Sequence, residues 1–137
     1  MSLKIRLKPN EKMLLGHAVI RNGDKSSEFF IENSAAILRE KDIMKECAAT
    51  SPARRLYFLV QLMYVDAENL DSYQGAYRDL SQQILAAAPS TAKLLKEIAS
   101  SVACRDYYQA LKTTKKLIEH EKLLLSNLVQ QATVDCS

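Results

Sequence analysis

Glycine and proline are scarce in this 137-residue chain, three of each, and tryptophan is absent. So few breakers exclude a linker-rich or low-complexity protein and favour long uninterrupted elements. The three glycines, Gly16, Gly23 and Gly75, stand far apart, which excludes a glycine-rich phosphate loop. Apolar runs are short. Leu56–Val60 is cut off at once by Gln61, and nothing approaches the roughly 20 apolar residues of a membrane span. Lys4, Arg6 and Lys8 precede no apolar block, so the start does not read as a secretory signal and the expected location is the cytoplasm. The cysteines, Cys47, Cys104 and Cys136, are odd in number and lack metal-ligand spacing, so reduced thiols are expected.

What is present is a globular composition, 47% hydrophobic and 26% charged, enough for one domain or two very small ones. The net charge of +3 is only mildly basic, but it is unevenly placed. From Met1 to Lys25 six basic residues stand against two acids. From Ser26 to Cys47 three basic residues face five acids, and the rest of the chain carries ten against nine. The excess is therefore local to the opening segment, where a concentrated positive surface can serve as an anion footprint.

Two hydrophobic periods divide the chain. Leu3, Ile5 and Leu7 alternate with Lys4, Arg6 and Lys8, which predicts a strand with one apolar face and one face of three cations. Pro9-Asn10 supplies a turn. Met13–Ile20 reads as a second strand, bent at Gly16. Asn22-Gly23 predicts a type I′ hairpin. Glu28–Glu32 reads as a third strand, ended by Asn33-Ser34, and Ala36–Arg39 as a fourth. Such a run of short strands predicts an antiparallel meander or small barrel over residues 1–47, which needs a helix or a partner chain to cover it.

Residues 48–137 follow the helical period. Ser51-Pro52 starts a helix with Leu56, Leu59, Val60 and Met63 on one stripe. An acidic connection, Asp66–Asp71, leads to a second helix marked by Tyr73, Tyr77, Leu80, Ile84 and Leu85 and ended by Pro89. Ser90 is the expected cap of a third. A long fourth helix buries a stripe from Tyr107 through Leu117 and Ile118 to Leu124, Leu125 and Leu128, with Glu121 as an irregularity inside it. The last three helices read as an antiparallel bundle. The predicted class is α+β: a small N-terminal antiparallel β-sheet or barrel followed by a C-terminal bundle of about four helices.

No constellation supports catalysis, a metal or a cofactor. His17 and His120 fall on different elements without ligands at helical spacing. Ser90-Thr91-Ala92-Lys93 matches a two-letter acyl-enzyme string without its companion motifs. The six tyrosines fall at helix-face spacing and read as core. What remains is the cation-bearing strand, with Lys12, Arg21, Lys25, Arg39 and Arg54-Arg55 as further candidates. Arginines and lysines on a rigid strand hold phosphates while strand-edge groups read unstacked bases. The alternative is an edge strand whose lysines block aggregation.

The strings Leu7-Lys8-Pro9-Asn10-Glu11, Ala18-Val19-Ile20-Arg21-Asn22-Gly23-Asp24 and Ile37-Leu38-Arg39-Glu40-Lys41-Asp42-Ile43 closely resemble the FlbT family of bacterial flagellar regulators. Later strings, Gln61-Leu62-Met63-Tyr64, Ala88-Pro89-Ser90-Thr91 and Asp106-Tyr107-Tyr108-Gln109-Ala110-Leu111-Lys112, look like the same family. The resemblance implies a regulator that binds the 5′ untranslated leader of flagellin messenger RNA and lowers its translation and lifetime, although some members act positively. It also implies FlaF and flagellin as candidate protein partners. A second likeness, confined to the first third, is to CsrA, a strand-exchanged dimer that represses translation. By that analogy Lys4, Arg6 and Arg39 contact RNA and the protein is a homodimer, although Leu38 stands where that family often has histidine. The expected RNA-binding residues are Lys4, Arg6, Lys8, Arg21 and Arg39, with no membrane contact. The alternative is an adaptor or chaperone-like factor that docks flagellin or FlaF on the helical bundle.

Overall fold

A computed structural model describes residues 3–16, 18–33 and 35–135, with the side chains of 129–135 outside that description. His17, Ser34 and Cys136 therefore lie outside the described residues. Five short strands, β1 (Leu3–Leu7), β2 (Lys12–Leu15), β3 (Ala18–Arg21), β4 (Ser27–Ile31) and β5 (Ile37–Arg39), precede four helices. These are α1 (Pro52–Val65), α2 (Leu70–Ala87), α3 (Ala92–Ala103) and α4 (Tyr107–Asp135). The class is α+β as the periodicities predict.

The strands do not form a meander. β1 pairs with β4 as a two-stranded antiparallel ribbon, and β3-β2-β5 form a separate antiparallel sheet. Gly16 is where the expected second strand divides. Its φ of 60° lies in the left-handed region that glycine adopts without a Cβ penalty, so Leu15 and Ala18 come opposite each other across a tight turn. Asn22-Gly23, by contrast, makes no type I′ hairpin. Among the described residues only Asn10, Gly16 and Arg105 have positive φ. The Asn22 side chain is occupied elsewhere: its Nδ2 donates to the carbonyls of Lys8 and Lys25, both at 2.8 Å, and of Leu7 at 3.2 Å. The segment thus crosses from one sheet to the other instead of folding back. β1 pairs with β4 and β5 with β2 within the one chain.

Register and burial arrange three layers. Ile5, Leu7 and Met13 form one apolar cluster, flanked by Leu15, Ile20, Phe29, Ile31 and Ile37. It lies between the ribbon and the three-stranded sheet. Leu38 and Leu14, opposite each other in register, turn the other way and pack on the helical core of Leu56, Val60, Met63, Ile98 and Leu117. The order is ribbon, sheet, helices. Burying one leucine in such a core contributes about 2 kcal/mol, so these few side chains fix the sheet to the helices.

In the helical layer α1 packs against α2 and α4, and α4 also against α3, whereas α2 and α3 barely touch. The start of α1 is as its sequence suggests: Ser51 Oγ accepts from the Arg54 amide with Pro52 following. Glu121 forms no ion pair among the described residues; its Oε2 accepts from the free Ala53 amide at 2.9 Å, placing a carboxylate on a helix N-terminus. Ser90 is not the cap of α3. Residues Pro89–Thr91 form a 3-10 turn, and the Ser90 hydroxyl instead lies 2.9 Å from His120 Nε2. Leu125 and Leu128, expected in the buried stripe of α4, are exposed; they border an open groove beside the start of α1 and the end of α2. Among the described residues no helix is long and apolar enough to cross a membrane.

Candidate nucleic-acid interface

Strand alternation builds the site. Ile5 and Leu7 are buried toward the sheet, so Lys4 and Arg6 must face away from it. On β4 the same parity turns Phe29 and Ile31 inward and leaves Glu28 and Phe30 outward. Register puts Lys4 opposite Phe30 and Arg6 opposite Glu28. The outer face of the ribbon is therefore Lys4, Arg6, Glu28 and Phe30, with its inner face against the sheet and the helices one layer further away.

One carboxylate serves two cations there. Glu28 Oε1 lies 3.2 Å from Lys4 Nζ and Oε2 lies 3.0 Å from Arg6 Nη2. The Arg6 and Lys4 hydrogen bonds hold the Glu28 carboxyl below its ordinary pKa, so it stays ionised near neutrality. The patch keeps one net positive charge. The Arg6 side chain remains 74% exposed, so an incoming phosphate can reach it without displacing protein. Lys8, at the end of β1, is exposed. Asn22 holds the Lys8 and Lys25 backbones to one amide, which places both lysines at the same end of the ribbon.

The other two expected contacts are placed differently. Arg39 is a clamp: its Nη2 donates to both Glu11 carboxylate oxygens at 3.1 Å and to the Arg6 carbonyl at 2.8 Å. The Lys8 amide also donates to Glu11 at 2.9 Å; that bond first, and the Arg39 guanidinium after it, hold the Glu11 carboxyl low. Arg21 lies opposite Lys12 on the sheet face that carries Leu14 and Leu38, turned away from the ribbon. Lys4 and Arg6 thus share one surface that Lys8 extends, whereas Arg21 belongs to another.

Sequence reasoning missed Phe30. The outward parity of Glu28, Phe30 and Glu32 was its only signal, and the neighbouring Phe29 and Ile31 made the segment read as uniformly apolar. Elsewhere, Tyr108 is half-exposed, with Lys112 Nζ 4.7 Å from its ring centre. It borders a cleft of about 980 Å³ with Arg39 and Lys41. The acids of that cleft are engaged: Glu11 with Arg39, Asp42 with Lys115, and Glu40 with the Lys12 amide.

The Ser90–His120 contact lies at the surface, and among the described residues no carboxylate orients the imidazole. Among the described residues no cluster of three metal-ligating side chains occurs. Cys47 and Cys104 are free and exposed.

Comparison with known proteins adds an independent finding. The family model described as "Flagellar protein FlbT" matches residues 3–125. The chain is 39% identical over 130 residues to a "Probable flagellum biosynthesis repressor protein FlbT" of Caulobacter sp. strain K31, covering 93% of this chain and 99% of that one. It is 39% identical over 123 residues to the "Flagellum biosynthesis repressor protein FlbT" of Caulobacter vibrioides, covering 88% and 87%. It is 35% identical over 126 residues to a probable protein of the same name from Rhodopseudomonas palustris, covering 92% and 99%. No solved structure matches significantly.

Proposed function

The chain belongs to the FlbT family of flagellar proteins, and from that premise we propose that it regulates flagellin synthesis after transcription, binding the 5′ leader of flagellin messenger RNA. It acts without catalysis in the cytoplasm. Lys4 and Arg6 on the ribbon's outer face, with Lys8 at its end, contact the phosphates. Arg39 supports them by holding Arg6's backbone, and Arg21 lies outside the contact surface. Repression follows from covering the ribosome site or from exposing the message to nucleases.

One observation carries the reading. The ribbon's outer face presents two exposed cations for one carboxylate, on the side that no other layer of the described residues covers. The test is a titration of leader RNA with the wild type and with Lys4→Ala and Arg6→Ala. Each substitution should weaken binding and reduce the salt slope by about 0.7, the contribution of one phosphate contact on a single strand. Melting temperatures should stay near that of the wild type, because both side chains are exposed. Unaltered affinity in both variants removes this face from the site.

A second reading has its own observation. A groove of about 710 Å³ between the start of α1, the end of α2 and α4 is lined by Ile84, Leu117, Leu124, Leu125 and Leu128. An amphipathic helix of flagellin or FlaF would suit it, making the protein an adaptor whose RNA effects are indirect. Salt distinguishes the two: phosphate binding falls steeply with ionic strength, apolar docking does not.

A further inference from the structure

Phe30 stands where a water-soluble strand has little reason to place a large apolar ring. It is 59% exposed near the end of β4, directly across from Lys4 and diagonal to Arg6. Its neighbours Phe29 and Ile31 supply the apolar contacts that hold the ribbon to the sheet, so the fold does not need Phe30 for its core. Directly opposed side chains on an antiparallel pair lie about 5 Å apart, and diagonal ones about 7–8 Å, within reach of a long arginine. A flat apolar surface thus sits beside Lys4, with Arg6 at its diagonal and Glu28 next to it on its own strand.

Resting on the RNA reading above, we propose that this face takes an unpaired nucleotide of single-stranded RNA, its base stacked on Phe30 and its flanking phosphates held by Lys4 and Arg6. A phenylalanine ring offers a π-face and no hydrogen bond, so it accepts any base without reading its edge. It also demands an unstacked base, because a duplex keeps its base faces against one another. The shared Glu28 carboxylate steadies both cations beside the ring. An apolar protein partner fits the same face poorly, since docking it would strip water from the unmatched charge.

The absence of tryptophan makes the test direct. Phe30→Trp places the chain's one tryptophan on the proposed platform, excited at wavelengths beyond tyrosine absorption and probed with single-stranded oligouridylate and with an RNA duplex of equal length. Oligouridylate should quench its emission to saturation and the duplex should not. Phe30→Ala should lose about tenfold in affinity for oligouridylate with its salt slope unchanged, because stacking releases no counterions. Phe30→Tyr should retain most of the binding. If the wild type binds RNA but Phe30→Ala binds equally well and the tryptophan emission does not move, the stacking inference fails and the phosphate-binding reading stands. If the wild type binds neither RNA, both fail together. Emission that changes with protein concentration alone would mean that a second copy covers the face, which also overturns the inference.

Discussion

Removing an acid should tighten RNA binding here, and Glu28→Gln is the sharpest perturbation of the patch. Its carboxylate oxygens sit 3.2 Å from Lys4 Nζ and 3.0 Å from Arg6 Nη2. A phosphate bound on the far side of Arg6 would lie about 6 Å from the same carboxylate. At that separation in water, removing a like charge strengthens binding about threefold, and screening at physiological salt reduces this to about twofold. Glutamine keeps the size and the strand register while raising the net charge of the face from one to two. Arg6 and Lys4 hold the Glu28 carboxyl below its ordinary pKa, so its charge is present throughout the neutral range in which the mutation removes it. The assay is fluorescence anisotropy of labelled leader RNA over a range of salt, with wild type, Glu28→Gln, Arg6→Ala and the double variant. Glu28→Gln should bind tighter than wild type and Arg6→Ala weaker. The double variant should show a smaller gain from the glutamine, since the cation it releases is gone. Weaker binding by Glu28→Gln would refute the charge argument and make Glu28 itself a positioning or contact group.

Two further predictions concern the frame around the site. Arg39→Ala should lower the melting temperature by a few degrees, clearly more than Arg6→Ala, because only Arg39 joins Glu11 to the Arg6 carbonyl. The reverse order in thermal melts would deny the clamp any weight. Since Glu11's pKa is lowered from its ordinary 4.5 on folding, its contribution to stability is full above that value and fades as pH falls through the lower folded value; Glu11→Gln should flatten that part of an acid unfolding curve. In the helical core, the buried Tyr77 hydroxyl has no partner among the described residues, and burial pushes its pKa up to about 12. Tyr77→Phe should be neutral or stabilise by up to about 1 kcal/mol, whereas Tyr57→Phe should cost about 1 kcal/mol, because Tyr57 donates to the Asp42 carbonyl at 2.6 Å. Urea unfolding of both variants checks the contrast.

The sequence carried local physics well and non-local pairing poorly. The alternation of Leu3, Ile5 and Leu7 with cations placed Lys4 and Arg6 on one face, because a strand's period of two is a property of the backbone alone. Ser51-Pro52 announced α1 for the same reason. The β1–β4 ribbon was not legible, since Arg6 and Glu28 are far apart in sequence and the two strands between them pair in a separate sheet. Asn22-Gly23 misled because a side-chain amide that satisfies three backbone carbonyls outweighs a turn preference. Arg39 looked like a free cation until Glu11 and the Arg6 carbonyl were seen to occupy it. The leucine stripe of α4 is periodic, but periodicity does not say how tightly neighbouring helices cover it; Leu125 and Leu128 border an open groove.

The layering explains why the cationic face stays open. A two-stranded ribbon is at best marginally stable alone and must bury one face. Here Ile5, Leu7, Phe29 and Ile31 bury it on the three-stranded sheet. That sheet has a second apolar face, Leu14 and Leu38, which goes to the helices. β2 and β5 therefore divide their side chains between two cores, and Ile37 and Leu38 on adjacent positions point into different ones. Because the sheet intervenes, the helices that stabilise the fold do not cover the ribbon's outer face. The stabilising helices and the proposed nucleic-acid face thus lie on opposite sides of one sheet. Cutting back Leu38, which anchors the sheet to the helices, should therefore cost stability of about 2–5 kcal/mol while leaving the affinity of the folded fraction for RNA near that of the wild type. Urea unfolding with binding measured well below the transition would test this, and a parallel loss of affinity would show that the helices do shape the face.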